Sequence, residues 1–239
     1  MLPTTVVTWK WPAPKGYRSS FTAESVNVLR RMVARHFPHP HRFVCVTHET
    51  DGLDREVEVI PPWDDFVSLV NPSGARNPSC YRRLRAFHPD IAAAFGPRFV
   101  SLDLDCIIVN DLTPVWDRPE DFIIWGDTNP RTAYNGSMFM MTAGARPKVW
   151  TKFDPNTSPR LAHRAGCFGS DQGWISFCLG PRESKWKAAD GVYSYRNELM
   201  NRPDAGLPAN ARIVFFHGEG DPWTPRIQAR HSWVRSSYA

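Results

Sequence analysis

Two carboxylates stand at i and i+2 in Ser101-Leu102-Asp103-Leu104-Asp105, directly after the apolar run 98–102. If the backbone stays extended there, both side chains point to one side of a sheet, at the carboxyl end of a strand. Ligands of open α/β sheets bind outside those ends. Neighbouring carboxylates repel unless a cation or a shared proton lies between them, and a divalent metal removes that repulsion. The plainer alternative is one aspartate capping a turn and the other solvated. A third donor is His217, which follows the apolar run 212–216 and precedes Gly218 and Gly220. An imidazole at a strand end can complete a carboxylate metal site, and glycines let backbone approach a phosphate closely. Asp103, Asp105 and His217 together suit Mn²⁺ somewhat better than Mg²⁺.

A D-x-D is not specific by itself. Phosphatases of the haloacid dehalogenase type also place one after an apolar strand. Their motif continues to a threonine where this chain has Ile107, and it normally opens the chain.

The elements that must position these residues read as a β-α-β start followed by further strands. Residues 4–9 form an apolar, β-branched run, and Pro12, Pro14 and Gly16 make an irregular loop after it. A helix follows, with Thr22 as cap, Glu24 in its first turn, and Val26, Leu29, Val33 and Phe37 on one face until Pro38 stops it. Strands are expected at 42–47, 57–60, 98–102, 106–109, 122–125, 137–142 and 212–216. Helical pieces are expected at 81–87, 145–153 and 170–178, and a polar loop at 71–78. The predicted fold class is α/β, with a mostly parallel central sheet flanked by helices, as one domain over 1–239.

With 239 residues and 42% hydrophobic content the chain can bury a proper core. Five cysteines, without C-x-x-C spacing and partly in apolar runs, fit reduced thiols in a cytoplasmic protein. No basic leader precedes the first apolar run, and no run is long enough for a membrane span. The net charge of +5 is spread along the chain, which favours a diphosphate ligand over nucleic acid. Arg226, Arg230 and Arg235 read as a solvated basic face. His36, His39 and His41 read as loop histidines, and Trp9, Trp125 and Trp223 as candidate sugar platforms near strand ends.

Four further stretches occur in a recognisable order: Tyr81-Arg82-Arg83-Leu84, Asn135-Gly136-Ser137, Asp171-Gln172, and the segment from His217 to Pro222-Trp223. With the D-x-D, this order resembles the retaining GT-A glycosyltransferases of the group that includes glycogenin and the lipopolysaccharide galactosyltransferases. The resemblance implies a Rossmann-like GT-A fold and a metal-dependent transfer of sugar from a nucleotide-sugar, UDP by family expectation, to a glycan, glycolipid or protein acceptor. It implies metal binding by Asp103, Asp105 and His217, with Asp103 also near the donor ribose. It places Arg83 at the diphosphate or sugar, Asn135 and Asp171 at the transferred sugar, and Gln172 on the face where a nucleophile would stand. Gly218 and Gly220 would lie by the phosphates, and Thr8, Trp9 and Thr47, at strand ends, by the nucleotide base. The family often carries a lysine before Pro-Trp, where this chain has Asp221; Arg226 is the cation suggested in its stead. A sugar-nucleotidyltransferase and a non-catalytic binding domain on the same fold remain rival readings. The first should carry a glycine-rich basic loop after the first strand, and residues 9–17 offer one glycine and two lysines.

Overall fold

A computed structural model of the chain describes every residue apart from 18, 75, 76, 127, 129–131, 203–205 and 219. Ala75 and Arg76 of the expected polar loop and Glu219 of the closing segment thus lie outside the described residues. In chain order the strands are β1 (Thr5–Trp9), β2 (Arg42–Val46), β3 (Glu58–Ile60), β4 (Arg98–Leu102), β5 (Cys106–Ile108), β6 (Phe122–Gly126), β7 (Tyr134–Thr142), β8 (Ser184–Trp186), β9 (Val192–Ser194) and β10 (Ile213–Phe215). The helices are α1 (Ala23–His36), α2 (Ala92–Phe95), α3 (Thr113–Trp116), α4 (Lys148–Thr151), α5 (Ser158–Arg164), α6 (Asp171–Leu179), α7 (Pro225–Arg230) and α8 (Ser232–Ser237). Tyr81–Phe87 forms a 3₁₀ helix and Tyr195–Leu199 a π-helical turn.

A seven-stranded sheet runs in the order β3-β2-β1-β4-β7-β6-β8, and only β7 is antiparallel to its neighbours. Every residue of β1 and β4 is buried, as central parallel strands covered on both faces require. Alternation along the strands sorts their side chains to two sides. Val6, Val100, Met138 and Met140 pack with Val26, Leu29, Met32 and Val33 of α1. Val7, Phe99, Phe139 and Met141 meet Leu84 and Phe87 of the 3₁₀ helix and Trp174 and Ile175 of α6.

Two departures from the expected elements shape the site. The chain is not extended at the D-x-D: β4 ends at Leu102, and Asp103, Leu104 and Asp105 bend out of the large sheet into β5, which belongs to a second sheet ordered β5-β10-β9. Spacing at i and i+2 is therefore not what brings the two carboxylates together. The bend does, pinned by Leu104, which is buried. The second departure is in β7, which starts at Tyr134 instead of 137. Ile124 pairs with Phe139 but Trp125 pairs with Asn135, so residues 136–138 bulge from the β6 ladder beside the D-x-D.

All five cysteines are unpaired. Cys45 in β2 is fully buried, and burial pushes its thiol up to about 12 against the opposing pull of Lys10. A thiol whose pKa is raised by folding keeps its contribution below the ordinary value of 9.0 and loses it as pH rises towards the folded value. Stability should therefore fall by about 1.4 kcal/mol per pH unit for each such thiol across that interval. Urea unfolding of Cys45→Ala over this range should show a shallower alkaline slope than wild type; an unchanged slope would mean that this thiol does not drive the loss.

Candidate active site

The site begins with one arginine. Arg83, carried by the 3₁₀ helix, is buried, and its Nε donates to Asp171 Oδ2 at 2.7 Å while Nη1 pairs with Asp103 Oδ1. The D-x-D bend, the start of α6 and the 3₁₀ helix thus meet at one guanidinium. Asp171 is 2% exposed, and its other oxygen accepts the Ser170 hydroxyl at 3.3 Å. Ser170 Oγ in turn accepts the Cys80 N–H at 2.9 Å, which fixes the entry to the 3₁₀ helix. Burial opposes the charge on Arg83, but Asp103 and Asp171 outweigh it and hold the guanidinium well above its ordinary pKa. Burial pushes the Asp103 carboxyl up, only partly countered by Arg83 and a Ser137 hydrogen bond. It also lifts the Cys80 thiol to about 12, against the pull of Arg83.

The bulge in β7 lies against this triad. A side chain at Gly136 would put its Cβ 3.0 Å from Arg83 Nη2 and 3.3 Å from Asp171 Oδ2, so the backbone approaches this closely only because the residue is glycine. Asn135 Oδ1 accepts the Ser137 N–H at 2.9 Å, the Gln172 side-chain oxygen accepts the Gly136 N–H at 3.3 Å, and Asp103 N–H donates to Ser137 O at 2.9 Å. From the other side, Phe216 N–H donates to Asp105 O at 2.7 Å, continuing the β5–β10 ladder and bringing His217 beside the D-x-D. The His217 Nε2 bonds the Ser194 hydroxyl at 2.7 Å, and its ring meets Trp125 edge-on with centroids 5.6 Å apart.

These residues wall a cleft with two lobes that share Tyr17, Pro78, Cys80, Arg83, Asp103 and Asp105. The apolar lobe is lined by Trp9, Trp11, Tyr17 and Phe21, and the polar lobe by Asn135, Asp171, Gln172, His217 and Gly218. Among the described residues no three His, Cys, Asp or Glu side chains converge tightly enough to hold an ion unaided, so Asp103, Asp105 and His217 line one lobe without forming a closed cage.

Several expected contacts do not reach the cleft. Thr8 is fully buried and its hydroxyl donates to Leu102 O at 2.9 Å, inside the sheet. Thr47 is buried and its hydroxyl accepts the Glu49 N–H at 2.9 Å. Gly220 has φ +90 and faces Ile227, so it lets α7 pack and does not line either lobe. Trp125 is a core residue stacked on Phe215 at 4.7 Å, and Trp223 packs on Phe21 and Tyr238. Asp221 is buried and its Oδ1 accepts the Ser19 hydroxyl at 2.9 Å, while Arg226 is exposed on α7. Trp11, Tyr17 and Phe21 were not expected; they sit in the proline-bearing stretch after β1, where no periodicity marks them, although an aromatic cluster following a strand end was a usable signal.

Scans against protein-family models and among curated proteins each find no match. Comparison with solved structures finds glycosyltransferases. The galactosyltransferase LgtC, solved with donor and acceptor sugar analogues, superposes with a TM-score of 0.60 at 13% identity, over 98% of this chain and 96% of that one. The glycosyltransferase GlyE of Streptococcus pneumoniae TIGR4 gives 0.59 at 12%, over 98% of this chain and 60% of GlyE. The bifunctional WbbM gives 0.56 at 12%, over 100% of this chain and 50% of WbbM. The fold is that of these glycosyltransferases. The α/β architecture expected from the sequence, with its mostly parallel central sheet, is therefore the one observed.

Removing one member of a buried ion pair typically costs about 3–5 kcal/mol because a charge is left uncompensated. Arg83→Met should lose stability on that scale at neutral pH in urea unfolding. The Asp103 carboxyl, already raised, would rise further, so its contribution is retained below the ordinary aspartate range and lost as pH increases through the folded value. The deficit of the variant should therefore shrink at acid pH; a loss under about 1 kcal/mol would rule out the triad as a structural tie.

Proposed function

We propose that the protein is a metal-dependent glycosyltransferase that moves a sugar from a UDP-sugar to a hydroxyl of a glycan, glycolipid or protein acceptor, with retention. The observation carrying this reading is the two-lobed cleft on a fold shared with a galactosyltransferase: the aromatic lobe suits a base and ribose, and the acidic lobe suits a metal-bound diphosphate and the sugar. Asp103, Asp105 and His217 are hard and borderline donors on one wall, a set whose chemistry fits Mn²⁺ or Mg²⁺. When bound, such an ion supplies charge neutralisation to the departing diphosphate.

The remaining steps fall to the chain itself. The Trp9, Trp11 and Tyr17 rings offer stacking surface for a base. Asp171 and Gln172 face the polar lobe from the first turn of α6 and would orient the sugar and stabilise its cationic character as the bond to the diphosphate breaks. Asp171 has both oxygens engaged, one by Arg83 and one by Ser170, which suits a positioning carboxylate better than a general base. That favours retention, in which the acceptor hydroxyl attacks on the side the diphosphate leaves and the departing phosphate takes its proton. An active-site glutamine has been changed to glutamate in LgtC, and Gln172 is our candidate for the corresponding role here. The nucleotidyltransferase alternative needs a glycine-rich basic loop after the first strand, and of the two lysines there Lys10 is buried and paired with Glu49.

Calorimetric titration of UDP with and without Mn²⁺, on wild type and Asp105→Asn, tests the reading. Wild type should bind UDP only with metal, and the variant at least about tenfold more weakly, as losing a metal ligand implies. Slow hydrolysis of one UDP-sugar should show the same dependence. If no nucleotide binds with metal present, the transferase reading is wrong and a non-catalytic role on this fold takes its place.

A further inference from the structure

After β9 the chain makes a wide turn in which Met200 N–H reaches Tyr195 O at 2.7 Å. A π-helical turn is rare and recurs at functional sites. This one is anchored on both flanks: Tyr195 stacks on Phe216 with centroids 4.4 Å apart, and Leu199 is buried in the core. Ser194 ties the turn to the cleft. Its N–H donates to Glu198 Oε2 at 2.7 Å, its hydroxyl oxygen accepts the Asn197 N–H at 3.1 Å, and the same hydroxyl bonds His217 Nε2.

With Tyr195 and Leu199 turned inward, Arg196 is exposed and lies over the next residue of the cleft wall. A Cβ built on Gly218 would stand 2.5 Å from Arg196 Nη1 and 2.9 Å from its Cδ, and Gly218 holds φ +86. The guanidinium thus lies against Gly218, whose backbone lines the polar lobe.

The charge balance of that lobe gives this placement its meaning. Asp103, Asp105 and Asp171 make it acidic. Among the described residues that line it, the one arginine or lysine is Arg83, which is committed to Asp103 and Asp171. Two carboxylates would largely neutralise a divalent ion held by them, so a nucleoside diphosphate in the lobe would gain from a further cation. Among the described residues no carboxylate pairs with Arg196. A planar guanidinium can present two parallel N–H groups to phosphate oxygens. Resting on the transferase reading above, we infer that Arg196 binds the donor diphosphate beside Gly218, at the edge of the polar lobe.

The test titrates UDP and uridine into wild type, R196Q and R196K with Mn²⁺ present, and measures Mn²⁺ binding to each protein without nucleotide by electron paramagnetic resonance. R196Q should bind UDP about 10- to 100-fold more weakly, the range for losing a charge-assisted contact, with R196K in between and uridine unaffected. Mn²⁺ affinity and melting temperature should be unchanged, because the side chain is exposed and holds neither Ser194 nor His217. Equal UDP binding by R196Q and wild type overturns the assignment while leaving the transferase reading intact. So does a loss of UDP binding that tracks a weakened Mn²⁺ site and is not relieved in R196K, since Arg196 would then act through His217. If wild type binds neither UDP nor uridine, the transferase reading fails and this assignment fails with it.

Discussion

Arg83 is the fixed point of the cleft. A guanidinium buried in the core must be compensated, because an uncompensated charge there would cost more than the surrounding packing contributes. Two carboxylates from distant parts of the chain, Asp103 and Asp171, supply the compensation, and in doing so they set where the D-x-D bend and the first turn of α6 stand relative to each other. The arrangement demands a further concession from the backbone. Gly136 has to pass close to both Arg83 and Asp171, and the irregularity of β7 delivers it there without a side chain. Three elements and a bulge are thus one electrostatic unit, and the residues facing the polar lobe are those left on its accessible side.

The reach of the sequence can be judged residue by residue. β1, α1 and β4 were legible because burial on both faces, or on one stripe, writes a strong period into the chain. β8 and β9 have three residues each and were not, since segments so short owe their structure to pairing partners elsewhere. Arg83, Asp103, Asp171 and His217 were singled out by motif, but the ion pair from Arg83 to Asp171 spans 88 positions and no local pattern encodes it. Thr8 and Thr47 show a different failure. Their positions at strand ends were right, yet strand parity and a nearby carbonyl or amide turned both hydroxyls away from the cleft.

The cleft divides by chemistry along the same line that divides it by chain segment. The stretch after β1 supplies rings and the strand ends and α6 supply carboxylates, amides and imidazole. Trp9 is held by its indole N–H, which donates to Ser101 Oγ at 3.0 Å, and Trp11 lies edge-on to it with Arg82 over its face. An aromatic wall fixed in this way would lose little freedom against a flat ligand; in the other lobe Asn135 and Gln172 are held by backbone N–H groups, and Asp171 and His217 by side chains.

What joins the lobes is the crossing from one sheet to the other. The chain leaves β4, turns through Asp103 to Asp105, and enters β5, whose ladder with β10 pairs Cys106 with Phe215 and carries on through the bond from Phe216 N–H to Asp105 O. That register places His217 opposite the bend. A slip of one residue would turn the imidazole to the far face of the small sheet and separate it from both carboxylates. The register is in turn held by burial, since Ile213, Val214 and Phe215 are all fully buried and only one pairing keeps them so. Side chains more than a hundred positions apart in sequence therefore share one wall because apolar packing in the second sheet admits one alignment, and the carboxylates and the imidazole inherit their proximity from it.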